Sequence, residues 1–178
     1  MAEENGSSGE TPAPSAEVAG ATGQPAASLQ IVGQYIRDLS FENPEGAASV
    51  LPGKSNPGFN VNINVQVKKQ ADDLYAVELT LNTKAERDSK VLFNVELVYG
   101  GLFRVQNVLE NQLSALLMIE CPRLLFPFAR QQLASITQSG GFPPLMLEPV
   151  DFVALYRQNM QKMAEQAQAA QKNGSGNA

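Results

Sequence analysis

The sequence contains no histidine, no tryptophan and a single cysteine among its 178 residues. Without imidazole there is no Ser-His-Asp triad, no Cys-His protease and no His-ligated zinc or haem. One thiol, Cys121, makes neither an internal disulfide nor a four-thiolate metal site, which fits a reducing, cytoplasmic setting. A basic stripe is missing too. All 13 Lys and Arg lie at or after Arg37, whereas Glu3, Glu4, Glu10 and Glu17 precede it. The N-terminal arm therefore holds most of the formal net charge of −5, and the rest is nearly neutral. Nucleic acid and anionic membrane surfaces are unexpected partners for such a chain. Pro or charge interrupts every apolar stretch well short of about 18 residues, so no direct membrane insertion is expected. The arm lacks the basic and apolar regions of a leader. No enzyme, cofactor or metal site is expected.

What the chain does contain is clean periodicity between two low-complexity ends. Residues 1–28 are Ala, Gly, Ser, Pro, Glu and Thr with Val18 almost the only sizeable apolar side chain, a composition that predicts a disordered arm. Residues 172–178 read as a disordered tail, which leaves 29–171 as the folded domain. Leu29, Ile31, Tyr35, Leu39 and Phe41 fall on one face of a first strand, opposite Gln30, Gln34, Asp38, Ser40 and Glu42. Val61, Ile63, Val65 and Val67 define a second strand; Tyr75, Val77, Leu79 and Leu81 a third; Val91, Phe93, Val95, Leu97 and Tyr99 a fourth. Short polar connections at 70–73 and 86–89 suit antiparallel hairpins, while 42–58, rich in Pro and Gly, makes a long irregular crossing. After Gly100-Gly101 the spacing of Val105, Val108, Leu109, Leu113, Leu116 and Leu117 becomes helical. Cys121-Pro122 predicts a break, and a second helix follows to about Ser139. Asp151 is the N-cap of a last helix. The expected fold is α+β: a four-stranded antiparallel sheet followed by helices packed on one face.

Several residue types that resemble chemistry have plainer readings. Cys121 has no base to activate it and reads as a packed thiol. Asp72-Asp73 sit where a hairpin turns. Gly100-Gly101 and Gly140-Gly141 lack phosphate-loop spacing. The segment Phe142-Pro143-Pro144-Leu145-Met146-Leu147 is different, because apolar residues among prolines need a surface to cover. With Phe59, Val61 and Ile63, and with Phe93, it predicts a groove; Phe126 and Phe128 either line its helical side or fill the core. A groove beside an exposed strand edge suits a ligand read through its main chain. The wide apolar helix, through Leu113 and Leu116, and the fourth strand, through Val95, Leu97 and Tyr99, are expected to bury contacts between subunits. Asp38, Glu42 and Glu96 share the polar sheet face.

The residues Cys121-Pro122-Arg123-Leu124-Leu125-Phe126-Pro127-Phe128-Ala129-Arg130 resemble the C-P-x-x-L-F-P-aromatic-A-R signature of the SecB family of export chaperones. Gly140 to Phe152 is similar to that family's G-x-F-P-x-L-x-L-x-P-V-x-F segment. Tyr35–Glu42, Asp72–Tyr75 and Gly100–Phe103 agree with its strands. The likeness covers about 30–160. It implies a dimer-of-dimers homotetramer that holds unfolded preproteins in hydrophobic grooves and passes them to the motor SecA. No cofactor and no hydrolysis are implied. Asp38, Glu42 and Glu96 match acidic positions that meet SecA, while Asn94 departs from an apolar position there. Two alternatives stay open: a pocket for a small apolar ligand, and the same fold serving a toxin–antitoxin system.

Overall fold

A computed structural model of the chain describes residues 26–174. The expectations for the arm before residue 26 and for the last four residues lie outside them. Four strands form one antiparallel sheet in the order β1-β4-β3-β2, with β1 Ser28–Glu42, β2 Gly58–Lys69, β3 Leu74–Arg87 and β4 Lys90–Gln106. Its two free edges are therefore β1 and β2. The β3–β4 turn places Asp88 and Ser89 at positive φ, which a two-residue hairpin loop requires. The crossing from β1 to β2 includes a short 3-10 turn at Gly46–Val50. Arg87 ties it to the sheet, donating to the Ser49 and Leu51 carbonyls, and Asp88 accepts from Ser55 Oγ at 2.7 Å.

The helices then cover one sheet face. A continuous helix runs Glu110–Ser139, made of α1 Glu110–Ala115, a π turn Leu116–Glu120 and α2 Cys121–Ser139. A last helix, α3, runs Phe152–Gly174, three residues into the expected tail. Asp151 caps it: one carboxylate oxygen accepts from the Val153 and Ala154 amides, both at 3.0 Å. Fully buried Leu79, Leu81, Leu97 and Phe103 of the sheet meet Cys121, Leu125, Ala129 and Leu133 of α2.

Three expectations about local structure are corrected. Val105 belongs to β4, which runs on through Gly100-Gly101, and the helix starts only at Glu110. Cys121-Pro122 does not break the helix. Just before it the backbone widens, the Cys121 amide reaching back five residues to the Leu116 carbonyl, and Pro122 then occupies the first turn of α2, where no N–H is needed. The resulting 30-residue helix is long and apolar enough to cross a bilayer by length and composition alone, contrary to the expectation. It lies instead along the sheet, carrying part of the core.

The third correction concerns β1. One-residue bulges fall between Ile31 and Gly33 and between Ile36 and Asp38. Each shifts the alternation by one. Between the bulges, Gln34 and Ile36 pair with Gly101 and Tyr99 on the helix face, and Tyr35 pairs with Gly100 on the outer face. Tyr35 is thus opposite to Leu39, not beside it. Its ring lies over Gly100, where any Cβ would collide with it. Gln34 accepts from the Tyr99 hydroxyl at 3.1 Å.

Candidate functional site

The helix-side face of β2 presents Phe59, Val61 and Ile63, paired with Ala85, Thr83 and Leu81 of β3. Nothing in the sheet lies beyond β2, so Phe59 remains 50% exposed. At this end of the sheet four phenyl rings gather. Phe93 stands 4.9 Å from Phe142, 5.8 Å from Phe41 and 6.4 Å from Phe59, centroid to centroid. Such aromatic pairs hold a wall in shape beyond what area burial alone gives. Val50 and Leu51 of the crossing stay exposed. A solvent-open slot of about 860 Å3 continues along β2, between Val61–Asn64 and the α3 residues Ala154, Leu155 and Gln158.

The segment 140–149 is held extended by the end of α2. Buried Thr137 donates its hydroxyl to the Leu133 and Ala134 carbonyls and accepts from the Leu145 amide at 3.0 Å. Its own carbonyl accepts from the Phe142 amide at 3.1 Å. Position 140, where α2 ends, has to be glycine because a side chain there would strike the Phe41 ring. Phe41, Thr137 and Val50 were not among the sequence-derived candidates. A buried threonine late in an apolar helix, a few residues before a proline-rich turn, is the signal that could have marked Thr137.

The other candidates separate. Phe142 and Leu145 are half-buried against the groove wall. Leu147, 8% exposed, is core, as is Phe126, which meets Phe152 edge-on at 5.9 Å. Phe128 is exposed but stacks on Tyr99 at 6.5 Å. Tyr99 is six residues from Phe93 along β4, about 20 Å at strand rise, so Phe128 is not part of the groove. Val95, Leu97 and Tyr99 are buried within the protomer, beneath its own helices. That corrects their assignment to subunit contacts, since a covered side chain has nothing to offer a second chain. Leu113 and Leu116 are only partly covered.

The outer face is polar and read off the register. Asn60, Lys84, Asn94 and Glu42 form one row across the sheet, and Asn62, Asn82, Glu96 and Ser40 the next. Asp38 lies one row further, beside Val98. Asp38, Glu42 and Glu96 are all exposed. Beyond them Glu78 is buried, yet one charged and one neutral donor meet it. Arg37 donates to it at 2.7 Å and the Tyr35 hydroxyl at 3.3 Å. Burial and then the Glu78 charge push the Tyr35 phenol above its usual value. Cys121 is fully buried and its thiol is pushed up to about 12, by burial first and Glu120 second. A neutral thiol is no nucleophile. Among the described residues no cluster of three metal-ligating side chains occurs.

An α+β sheet-and-helix domain with an open aromatic groove at one edge, and a carboxylate-bearing face on the other side, is a binding protein. The model of the family described as preprotein translocase subunit SecB matches residues 22–163. The chain belongs to the SecB family of preprotein-export chaperones. It is 52% identical to the protein-export protein SecB of Rhodopseudomonas palustris (strain BisA53), across 84% of this chain and 92% of that protein. A Bradyrhizobium relative of the same name is 54% identical, across 83% and 90%. One from Maricaulis maris is 46% identical, across 93% and 96%. Among solved structures, a Mycobacterium tuberculosis SecB-like chaperone in complex with a peptide from the HigA1 antitoxin shares the fold, with a TM-score of 0.58. It is 14% identical, over 69% of this chain and 91% of that one.

Proposed function

We propose that the chain is a holdase that keeps preproteins unfolded without nucleotide hydrolysis, works as a homotetramer and hands its clients to SecA. The observation that carries the client reading is the exposed Phe59 ring at the open β2 edge, backed by half-buried Phe142 and by Phe93, which the structure buries in the core beneath them. Many weak apolar contacts repeated over four subunits bind a long chain tightly, whereas a folded protein hides the segments that would enter. The slot along β2 opens to solvent, which suits a chain better than an enclosed small ligand. Relatives near half identity are export proteins, and the antitoxin-bound neighbour contributes only fold, so export is the purpose adopted.

Assembly draws on the other edge. Ile31, Ile36 and Leu39 of β1 are exposed on the helix side, as are Leu124 and Phe128 of α2. A second copy is the occupant assigned to that patch, with Leu113 and Leu116 left for contact between pairs. The outer face, through Asp38, Glu42 and Glu96, is assigned to SecA. Light scattering should give the mass of four chains, and one protein added in unfolded and folded forms should bind only when unfolded. Equal binding of both forms would sink the holdase reading. Reversing the three carboxylates to Lys should abolish SecA binding and spare client binding, with SecA binding also lost near 0.5 M salt, where screening lengths shorten to about 4 Å.

A further inference from the structure

We infer that the Thr137 hydroxyl sets client affinity without touching the client, as the latch that positions Phe142 and Leu145 in the groove wall. This rests on the reading of the aromatic groove as the client site. The turn out of α2 asks nothing of the side chain at 137. Gly141 adopts φ 89°, its amide donates to the Gln138 carbonyl at 3.1 Å, and the Phe142 amide reaches back to the Thr137 carbonyl, also at 3.1 Å. Such a pair of backbone bonds commonly ends a helix at a glycine, and every residue has the carbonyl it needs. The bond from the Leu145 amide is of another kind. It closes on a side-chain oxygen eight residues back, at 3.0 Å. A valine of the same shape would offer no acceptor there.

Two features make that oxygen a fixed acceptor. Thr137 is fully buried, so water does not compete for it. Its one proton is shared between the Leu133 and Ala134 carbonyls, each at 3.0 Å, which leaves a lone pair for the amide. The segment itself has few other points of attachment, because Pro143, Pro144 and Pro149 have no N–H. Holding Leu145 as well as Phe142 fixes both ends of the stiff Pro143-Pro144 pair. Phe142 then stands 4.9 Å from Phe93 and 6.3 Å from Phe41, and Leu145 packs on the same core. Without the hydroxyl the Leu145 amide loses its acceptor and regains one only by moving outward to water. That movement takes Phe142 and Leu145 off the wall.

The test uses the assembled protein and, as probe, a reduced, S-carboxymethylated protein that cannot refold. In the wild type the Leu145 amide should be protected from hydrogen exchange about tenfold more than that of Met146. Equal protection would overturn the latch before any variant is made. Thr137→Val keeps the volume, and the Leu133 and Ala134 carbonyls keep their helical partners, so it should fold. It should lose the Leu145 protection and bind the probe about 5-fold more weakly per folded molecule, the loss of about one net hydrogen bond. Thr137→Ser keeps the oxygen and should restore both. A merely structural threonine would lower the urea midpoint and leave affinity per folded molecule unchanged. That result, or a serine that fails to rescue, overturns the inference. In a Phe142→Ala, Leu145→Ala background, Thr137→Val should cost no further affinity, because it acts through those side chains; a second loss of the same size would count against the inference. That background also separates the two levels. If it weakens binding while Thr137→Val alone does not, only the latch is lost, whereas undiminished binding ends the groove reading and the latch with it.

Discussion

The two free edges of the sheet are built on opposite plans. β2 is regular, uncharged through Val67 and bordered by an open slot. β1 is bent by two bulges, carries Arg37 and Asp38 in its middle and presents exposed Ile31, Ile36 and Leu39. Both edges leave backbone groups unpaired, yet only one leaves them in an even row. A regular row accepts any extended chain; an irregular row accepts only a surface of matching shape. On the proposed function, client binding and self-association are thus separated by one sheet-width, on one small domain.

The largest effect should come from charging the irregular edge. Ile36→Lys with Leu39→Asp should give folded protomers by light scattering and weaken capture of a long unfolded chain by about 100-fold, because the gain from linked sites is lost. A variant that stays tetrameric would place the subunit contact elsewhere. At the regular edge, Phe142→Ala should lower stability by about 2 kcal/mol, since a half-buried ring leaves a partial cavity against Phe93. Phe59→Ala should change stability by less than about 0.5 kcal/mol. Both should weaken client binding, which urea melts and a titration separate. Arg37→Met tests what supports the bulged strand. It strands the buried Glu78 carboxylate, and because Arg37 is itself half exposed the cost should be about 1 kcal/mol.

The smallest effect is a control. With its pKa near 12, Cys121 should resist alkylation at pH 8 in the free and client-loaded protein alike. Its raised value stabilises the fold fully below the unfolded value of 9.0. That contribution falls by about 1.4 kcal/mol per pH unit above it, until the native thiol also ionises. Urea melts between pH 8 and 10 check the sign, and rapid alkylation at pH 8 would contradict a sealed core.

Much of this was legible in the sequence because strand alternation is a strong signal where one face is buried. β2 and β3 followed their odd-numbered apolar residues without a slip. Tyr35 did not, since bulges leave alternation intact on either side while reversing it between, and an exposed tyrosine fits both faces. Pro122 misled because a residue before proline is usually pushed from helical geometry, and a five-residue reach of the backbone relieved that here. Phe126 and Phe128 could have been separated beforehand. Two residues apart on a helix they point about 200° apart, so one groove wall cannot hold both. Phe41 was placed on the correct face, but its meeting with Phe142 depends on where α2 ends against it.

The bulges in β1 also bear on how far the protein can grow. If both edges were regular, β1 of one copy could pair with β2 of the next, a head-to-tail contact that repeats without closing. The product would be a ribbon of indefinite length. Because Val32 and Arg37 put β1 out of step with β2, that contact has no continuous register. Deleting those two residues would leave every other side chain of β1 on its present face and make the strand straight. On the proposed assembly through this edge, the bulges would thus stand between a closed oligomer and an open ribbon.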